Sequence, residues 1–483
     1  MSKVRRAVIF SSISQYGVKL IGLATMMIVA RLLTPSEIGT FSIASAVVLM
    51  ISEFKMLGAG PYLIREKELT EDIIRRTLGL TIITSWGLGT FILFAGPVVS
   101  NFYNLPPLSE IFSILSIGFF LAPFISIPFA LMTRDFDFKL ILIANFSGAI
   151  ASLIVIVFLI NMGFSYYSLA WGQVARITIQ LAIIGIYPKY KSYYKPAFSR
   201  LGIIARFGIY NSLTSLFRNG VNLVPDIVIG KLGSTAQVGL FSRGMGLMDF
   251  LAGTVQKGAE PVVLPYLSET RRSGKNMVSA YILATVLATG FAWPVLAVAS
   301  IASLPVIRLF FGDQWDAAAP IASALGVWLI LRTTHNFANN FLITLGKEKI
   351  MIIKEAVLLI TVLILVILAF PFGLHSVAGA FIILGLIEII LVTIILWRLF
   401  EFDFKFFLRS ILPSIGVSFI CSFVTWIISF FVSFNDEPPW KSVFILATLL
   451  PPIWLASLKL FRHPLYKEVA SVVFKTKSKN YQR

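Results

Sequence analysis

Residues 31–42, RLLTPSEIGTFS, and residues 231–242, KLGSTAQVGLFS, align without a gap at a spacing of 200 positions. Leu32/Leu232, Gly39/Gly239, Phe41/Phe241 and Ser42/Ser242 are identical, and Arg31 pairs with Lys231. The same register then matches GAGP (58–61) to GAEP (258–261), and two matches in one register are hard to attribute to chance. Each stretch contains a capping box, Thr34-Pro-Ser-Glu37 and Ser234-Thr-Ala-Gln237, in which a hydroxyl and a carboxylate or amide satisfy the orphan amides of a starting helix. Pro35 takes the favoured first helical position. Equivalent helices are therefore predicted to begin at both places. A weaker match, at an offset of about 210, pairs IFSIL (111–115) with IASAL (321–325).

What is duplicated is apolar. The 483 residues are 57% hydrophobic and 13% charged, whereas a soluble domain carries roughly a quarter of its residues as charged side chains. A bilayer core needs ~20 apolar residues per helix, and such stretches recur from Ala7 to Leu460. They lie near 8–30, 38–60, 77–99, 109–132, 140–160, 167–187, 207–230, 237–262, 278–307, 319–344, 355–371, 376–396, 410–432 and 442–458. The expected fold is an all-α integral membrane protein of about fourteen transmembrane helices. The first helix follows Lys3, Arg5 and Arg6 but contains Lys19 and lacks a small-x-small cleavage site, so it reads as retained rather than as a signal peptide.

Charge placement sets the topology. With the N-terminus inside, 30 of the 41 Lys and Arg residues fall in cytoplasmic segments and only Arg31, Lys231 and Lys441 in external ones. This bias accounts for most of the net charge of +18 and removes the case for a nucleic-acid partner. An even helix count returns both termini to the cytoplasm. Six helices separate the matching capping boxes, so the halves are parallel repeats related by an axis along the membrane normal. The expected organisation is an N-lobe over 1–187, a cytoplasmic linker over 188–206, a C-lobe over 207–396, and helices 13 and 14 with a basic tail over 397–483. External loops such as Ser100–Ser109 are too short to fold a catalytic domain. A single Cys421 excludes an intrachain disulfide, and His335, His375 and His463 have no metal-ligand spacing; no metal and no cofactor are expected.

RLLTPSEIGTFSIA, MLGAGPYLIREKE and RFGIYNSLTSLFRNGVNLVPDIVIGKLGSTAQVGLFSRGMGL resemble the polysaccharide exporters of the multidrug/oligosaccharidyl-lipid/polysaccharide superfamily, in particular the Wzx branch of the colanic acid exporter type. The resemblance covers essentially the whole chain. It implies a flippase of the bacterial inner membrane that carries undecaprenyl-diphosphate-linked repeat units between leaflets by alternating access, with no catalytic residues. It also implies membrane lipids, a polymerase and glycosyltransferases as partners. A multidrug exporter of the same superfamily and a membrane-embedded polymerase or ligase are the competing readings.

Eight basic residues fall within the expected helices: Lys19, Lys55, Arg176, Arg218, Arg243, Lys257, Arg308 and Arg332. Each would cost ~2.5–3.5 kcal/mol at a lipid-exposed helix centre, so they are expected to face protein or water. Asn211, Ser215, Arg218, Asn222 and Asp226 share one helical face within about 80°. Arg332, Asn336 and Asn339 recur at similar spacing, as do Gln173, Arg176 and Gln180. A diphosphate suits such cations through charge-assisted hydrogen bonds. Candidate substrate-binding residues are Lys19, Arg176, Arg218, Asn222, Arg243, Arg332 and Asn336. Lys55, Lys257 and Arg308 lie near helix ends and can snorkel, and Arg243 has Asp249 or Glu260 as alternative structural partners. Glu388 and Asp226 are candidate ion-coupling acids, with a plain salt bridge or helix–helix hydrogen bond as the alternative.

Overall fold

The computed structural model describes residues 3–187, 190, 195–400 and 402–473, with side chains except at 3–9, 203, 207, 211, 255–261, 472 and 473. Most of the 188–194 stretch of the expected linker, and the side chains of Asn211, Lys257 and Glu260, lie outside the described residues. Contacts divide the chain into two compact units, Met1–Ser242 and Arg243–Arg483. The first holds α1 (Lys3–Leu32), α2 (Pro35–Ser52), α3 (Ala59–Arg65), α4 (Glu71–Tyr103), α5 (Pro107–Leu121), α6 (Pro123–Arg134), α7 (Phe138–Asn161), α8 (Tyr167–Ile186), α9 (Gly202–Leu232) and the first turns of α10 (Thr235–Arg272). The second holds the remainder of α10, then α11 (Met277–Ile301), α12 (Ser303–Phe311), α13 (Ala319–Thr333), α14 (Ala338–Thr344), α15 (Glu348–Ala369), α16 (Leu374–Phe400), α17 (Phe404–Phe431), α18 (Pro439–Leu460) and α19 (Pro464–Val473).

Among the described residues eleven helices are long and apolar enough to cross a bilayer, and the pair α5–α6, bent by 46°, makes twelve if it is one span. At 1.5 Å per residue, α9 and α10 are also long enough, at about 46 and 57 Å, but both are polar. Fourteen crossings require both of these helices to span as well. Side chains such as Phe94, Val98, Ile154, Phe158, Phe419 and Phe431 stay exposed, Phe431 at 84%. So continuous an apolar exterior is stable only against hydrocarbon, and the chain is a multi-pass membrane protein.

Both capping boxes form. Thr34 Oγ1 accepts from the Glu37 N–H at 3.3 Å while Glu37 Oε2 accepts from the Thr34 N–H at 2.8 Å. Ser234 and Gln237 repeat the exchange at 3.3 and 2.9 Å. Within the first unit the two helix starts face each other: Ser36 Oγ meets Thr235 Oγ1 at 2.7 Å, and Ser42 Oγ meets its repeat equivalent Ser242 Oγ, 200 positions away, at 3.2 Å. The helices cross at the paired glycines. A Cβ on Gly39 would lie 1.7 Å from the Thr235 carbonyl oxygen, and one on Gly239 would lie 2.0 Å from that of Pro35. Only glycine permits backbones to approach this closely.

The helices expected over 38–60, 109–132 and 319–344 are each broken. After α2 the chain turns through Leu57 (φ 36) and Gly58 (φ 66) before α3. Pro123 cannot donate to the preceding turn and kinks α5 into α6. In the second unit, residues 334–337 separate α13 from α14. The breaks after α5 and α13 keep the repeat, since both helices carry Pro in the first turn and both run 15 residues, whereas the break after α2 has no counterpart in α10, which is continuous. Polar ties join the far ends of these helices within each unit. Arg134, ending α6, donates to the carbonyls of Leu63 (2.8 Å), Glu66 and Lys67 (3.1 Å) at the end of α3. In the second unit Arg271, ending α10, donates to Thr344 O at the end of α14, the same tie with donor and acceptor helices exchanged.

The two helices outside the repeat are fastened to the second unit through α11. Trp454 Nε1 donates to Gly290 O at 2.9 Å, and Thr289 and Ser414 hydroxyls meet at 3.0 Å. Beyond α18, the Leu465 N–H donates to His463 Nδ1 at 3.1 Å, which leaves Nε2 to donate to Ser414 Oγ at 2.9 Å. Burial pushes the His463 pKa down to about 4, so the ring stays neutral in this joint.

Candidate functional site

In the first unit α9 carries three of the candidate residues. Arg218 is exposed, and Asn222 and Asp226, one and two turns on, are half-buried and engaged with neighbours. Asn219 Nδ2 donates to Glu53 Oε1 at 2.8 Å, which ties α9 to the break after α2. Lys19 on α1 is half-buried and Arg176 on α8 is exposed. Gln180, on the Arg176 face, serves to link helices. Its amide donates to Asn145 Oδ1 at 3.0 Å, and Asn145 reaches Ser14 at 3.5 Å, so α8, α7 and α1 are joined. Lys55 follows the end of α2, its ammonium 5.2 Å from the Phe119 ring centre, at the edge of a cavity of about 370 Å³ that Ser126, Thr133 and Gln180 also line.

The second unit concentrates charge more tightly. Lys354 and Glu355, both about 4% exposed, form an ion pair at 2.8 Å. Asn339 Nδ2 donates to the same Glu355 oxygen at 2.7 Å, while Asn339 Oδ1 is buried with no partner among the described residues. Arg332, closing α13, lies 5.0 Å over the Trp328 ring and within electrostatic reach of Asp249, Glu355 and Glu388. Glu388 on α16 also feels Lys354, but makes no hydrogen bond or ion pair among the described residues. His335 borders the group with both ring nitrogens occupied, Nδ1 by Tyr281 Oη at 2.7 Å and Nε2 by Thr393 Oγ1 at 3.1 Å.

The remaining residues are placed apart from this cluster. Arg243 lies 6.0 and 5.7 Å from the Phe311 and Trp315 ring centres. Arg308 does not snorkel freely: its guanidinium grips Asp316 at 2.9 and 2.6 Å and the Asn435 carbonyl at 2.6 Å. Asn336 falls in the break between α13 and α14, its N–H turned to Thr333 O at 3.3 Å. Lys354 is the residue that sequence reasoning misses. Counting that helix from 355 puts Lys354 in a cytoplasmic loop, whereas α15 starts at Glu348 and carries the lysine in its second turn. The four apolar residues Ile350–Ile353 just before it are the signal of that earlier start.

Chemically, the second-unit cluster holds two bases against three acids in apolar surroundings, and α9 of the first unit presents an exposed cation. A buried pair such as Lys354–Glu355 adds little net stability, but deleting one partner costs ~3–5 kcal/mol. The arrangement suits binding of charge.

Sequence comparison matches residues 28–320 to a family described as polysaccharide biosynthesis protein. The succinoglycan biosynthesis transport protein ExoT of Rhizobium meliloti is 21% identical over 67% of this chain and 66% of its own length, just under two thirds. The teichuronic acid biosynthesis protein TuaB of Bacillus subtilis is 22% identical over 79% of each chain. Among solved structures, the lipid II flippase MurJ in an inward closed conformation superposes with a TM-score of 0.74 at 16% identity, covering 96% of this chain and 99% of that one. An inward-facing multidrug resistance MATE transporter superposes at 0.59 with 15% identity, covering 82% and 99%. At these identities the two structures speak for the fold.

Proposed function

The chain belongs to the polysaccharide biosynthesis protein family, and from that premise we propose that it is a flippase moving lipid-linked oligosaccharide diphosphates from the inner to the outer leaflet of the cytoplasmic membrane. The observation that carries the reading is Arg218. An arginine exposed near the middle of a 31-residue helix would cost ~2.5–3.5 kcal/mol if it met lipid, so it belongs to a water-filled path. A diphosphate is a fitting counter-charge there, and the polyprenyl tail stays in hydrocarbon. The names of the relatives and the likeness to a lipid II flippase support the same substrate class.

In this reading all fourteen helices cross, both termini are cytoplasmic, and two six-helix lobes joined by the 188–206 linker alternate their opening. Lys19, Arg176, Arg218, Asn222, Arg243, Arg332 and Asn336 contact substrate in one state or another, and Asp226 or Glu388 carries a coupling ion. The protein performs transport and no covalent chemistry, acting between glycosyltransferases that build the repeat unit and a polymerase that joins it. Deleting the gene tests this: lipid-linked repeat units accumulate on the cytoplasmic leaflet and surface polysaccharide is lost. Normal surface polysaccharide in the deletion strain contradicts the proposal.

A further inference from the structure

One lipid-facing helix surface in the first unit is completed by a side chain from outside the helix. At 100° per residue, Gly79, Ile83, Trp86 and Phe94 of α4 fall within about 80° of one another. Ile83 is 50% exposed, Trp86 42% and Phe94 74%, so this face meets hydrocarbon. Gly79 begins the face, two positions inside the stretch expected to cross, and has no side chain to offer. Phe198 covers it: a Cβ on Gly79 would lie 3.3 Å from Phe198 Cδ1, yet the residue stays 58% exposed. Backbone bonds hold the segment 195–200 in this place. The Ala197 N–H donates to Arg75 O at 3.0 Å, and Arg75 Nε donates to Lys195 O at 2.9 Å. The Ala197 carbonyl then packs so closely on Gly79 that only glycine fits.

We propose that Arg75 and the segment 195–200 form a site for an anionic phospholipid of the leaflet on the linker side, with Phe198 among the acyl chains and Arg75 on the headgroup phosphate. Depth along α4 supports this, because Arg75 precedes Gly79 by one turn, ~6 Å, which sets the guanidinium at headgroup level when Phe198 lies at the margin of the hydrocarbon. Arg75 spends Nε on the Lys195 carbonyl, and its two terminal nitrogens make no hydrogen bond or ion pair among the described residues. Asp72, the acid one turn before it, is taken by Arg76 at 2.6 Å. A guanidinium with two free nitrogens matches a phosphate by paired charge-assisted bonds. The segment itself, KPAFSR, adds Lys195 and Arg200, both exposed, and no acid. Juxtamembrane cations of this kind draw anionic headgroups out of the surrounding lipid. None of these residues is assigned to the transported substrate, so the site does not rest on the flippase reading.

The test uses the full chain reconstituted in phosphatidylcholine liposomes. Cys421 is the only cysteine and is 1% exposed, so Phe198→Cys gives a single reactive thiol for an environment-sensitive fluorophore. Quenching is compared between equal mole fractions of phosphatidylglycerol and phosphatidylcholine, each spin-labelled high on the acyl chain. Both lipids quench, and phosphatidylglycerol does so about two- to fivefold more strongly. Arg75→Gln removes most of that excess, as does Lys195→Gln with Arg200→Gln, two exposed side chains that leave the backbone bonds in place. Lys349→Gln, which neutralises an exposed cation at the start of α15, leaves the excess intact. Where Arg75→Gln also frees the segment, seen as lost quenching by both lipids, the double variant decides alone. No quenching by either lipid places Phe198 in water and overturns the proposal. Equal quenching by the two lipids, an excess that survives the variants, or an equal loss in Lys349→Gln overturns it as well.

Discussion

Gly39→Val abolishes polysaccharide export while the protein is still inserted and folded. The Gly39 Cβ would sit 1.7 Å from the Thr235 carbonyl oxygen, and that atom is backbone, which has no rotamer by which to escape. The starts of α2 and α10 must then stand apart by a further ~2 Å for ordinary contact. Neither helix is itself disturbed, because valine costs an α-helix only ~0.5 kcal/mol relative to the best formers. In the proposed cycle the penalty falls on one state, the one in which these ends are closed. Overpacking costs ~1–3 kcal/mol even where side chains can adjust, and a backbone clash exceeds that. Conformational states separated by a few kcal/mol change population by a factor of ~10–100 under such a shift. The same substitution at Gly22, whose Cβ meets nothing within 4 Å, is the control and leaves export intact. A cysteine pair at Ser36 and Thr235, whose hydroxyls lie 2.7 Å apart, reads the closure: it crosslinks in the parent, not in Gly39→Val, and the crosslink stops transport until reduced. Normal export by Gly39→Val, with the crosslink forming as in the parent, removes this closure from the cycle.

Neutralising the two arginines separates substrate binding from structure. Arg218 is exposed, so Arg218→Gln folds normally and loses a charge-assisted contact worth ~1.5–3 kcal/mol, about ten- to a hundredfold in binding. Lysine restores part of the loss, because charge returns without the bidentate fork. Arg332 differs. It stands over Trp328 and within reach of Asp249, Glu355 and Glu388, so Arg332→Gln leaves three acids facing one lysine and lowers the yield of folded protein as well as export. Asp249→Asn added to Arg332→Gln recovers the yield but not the export. Export per folded molecule, compared among these variants, is the measurement. Full export by Arg218→Gln and Arg332→Gln together contradicts a cationic path.

The contrast between these helices explains how much of the molecule is legible in its sequence. The duplication is legible because capping boxes and crossing glycines are written locally. Thr34, Glu37, Ser234 and Gln237 make the bonds their spacing calls for, and Gly39 and Gly239 meet because the repeat brings like to like. The interruption at 334–337 is hidden, since no glycine or proline marks it and its geometry is set by packing around His335 and Phe337. Beyond that break, Asn339 finds Glu355. Lys354 escapes notice for the opposite reason: hydropathy treats a lysine near a helix start as loop. Only the partner on the next residue and the acid on α16 make its burial tolerable.

The most direct measurement of the central claim is leaflet exchange. The purified protein is reconstituted in liposomes containing a polyprenyl-diphosphate-linked oligosaccharide, and a membrane-impermeant glycosidase is added outside. With the active protein the enzyme reaches nearly all of the glycan, whereas empty liposomes and liposomes with Gly39→Val protect about half of it, the share an inner leaflet holds. Equal protection with and without the active protein, in vesicles shown to contain folded transporter, contradicts the account.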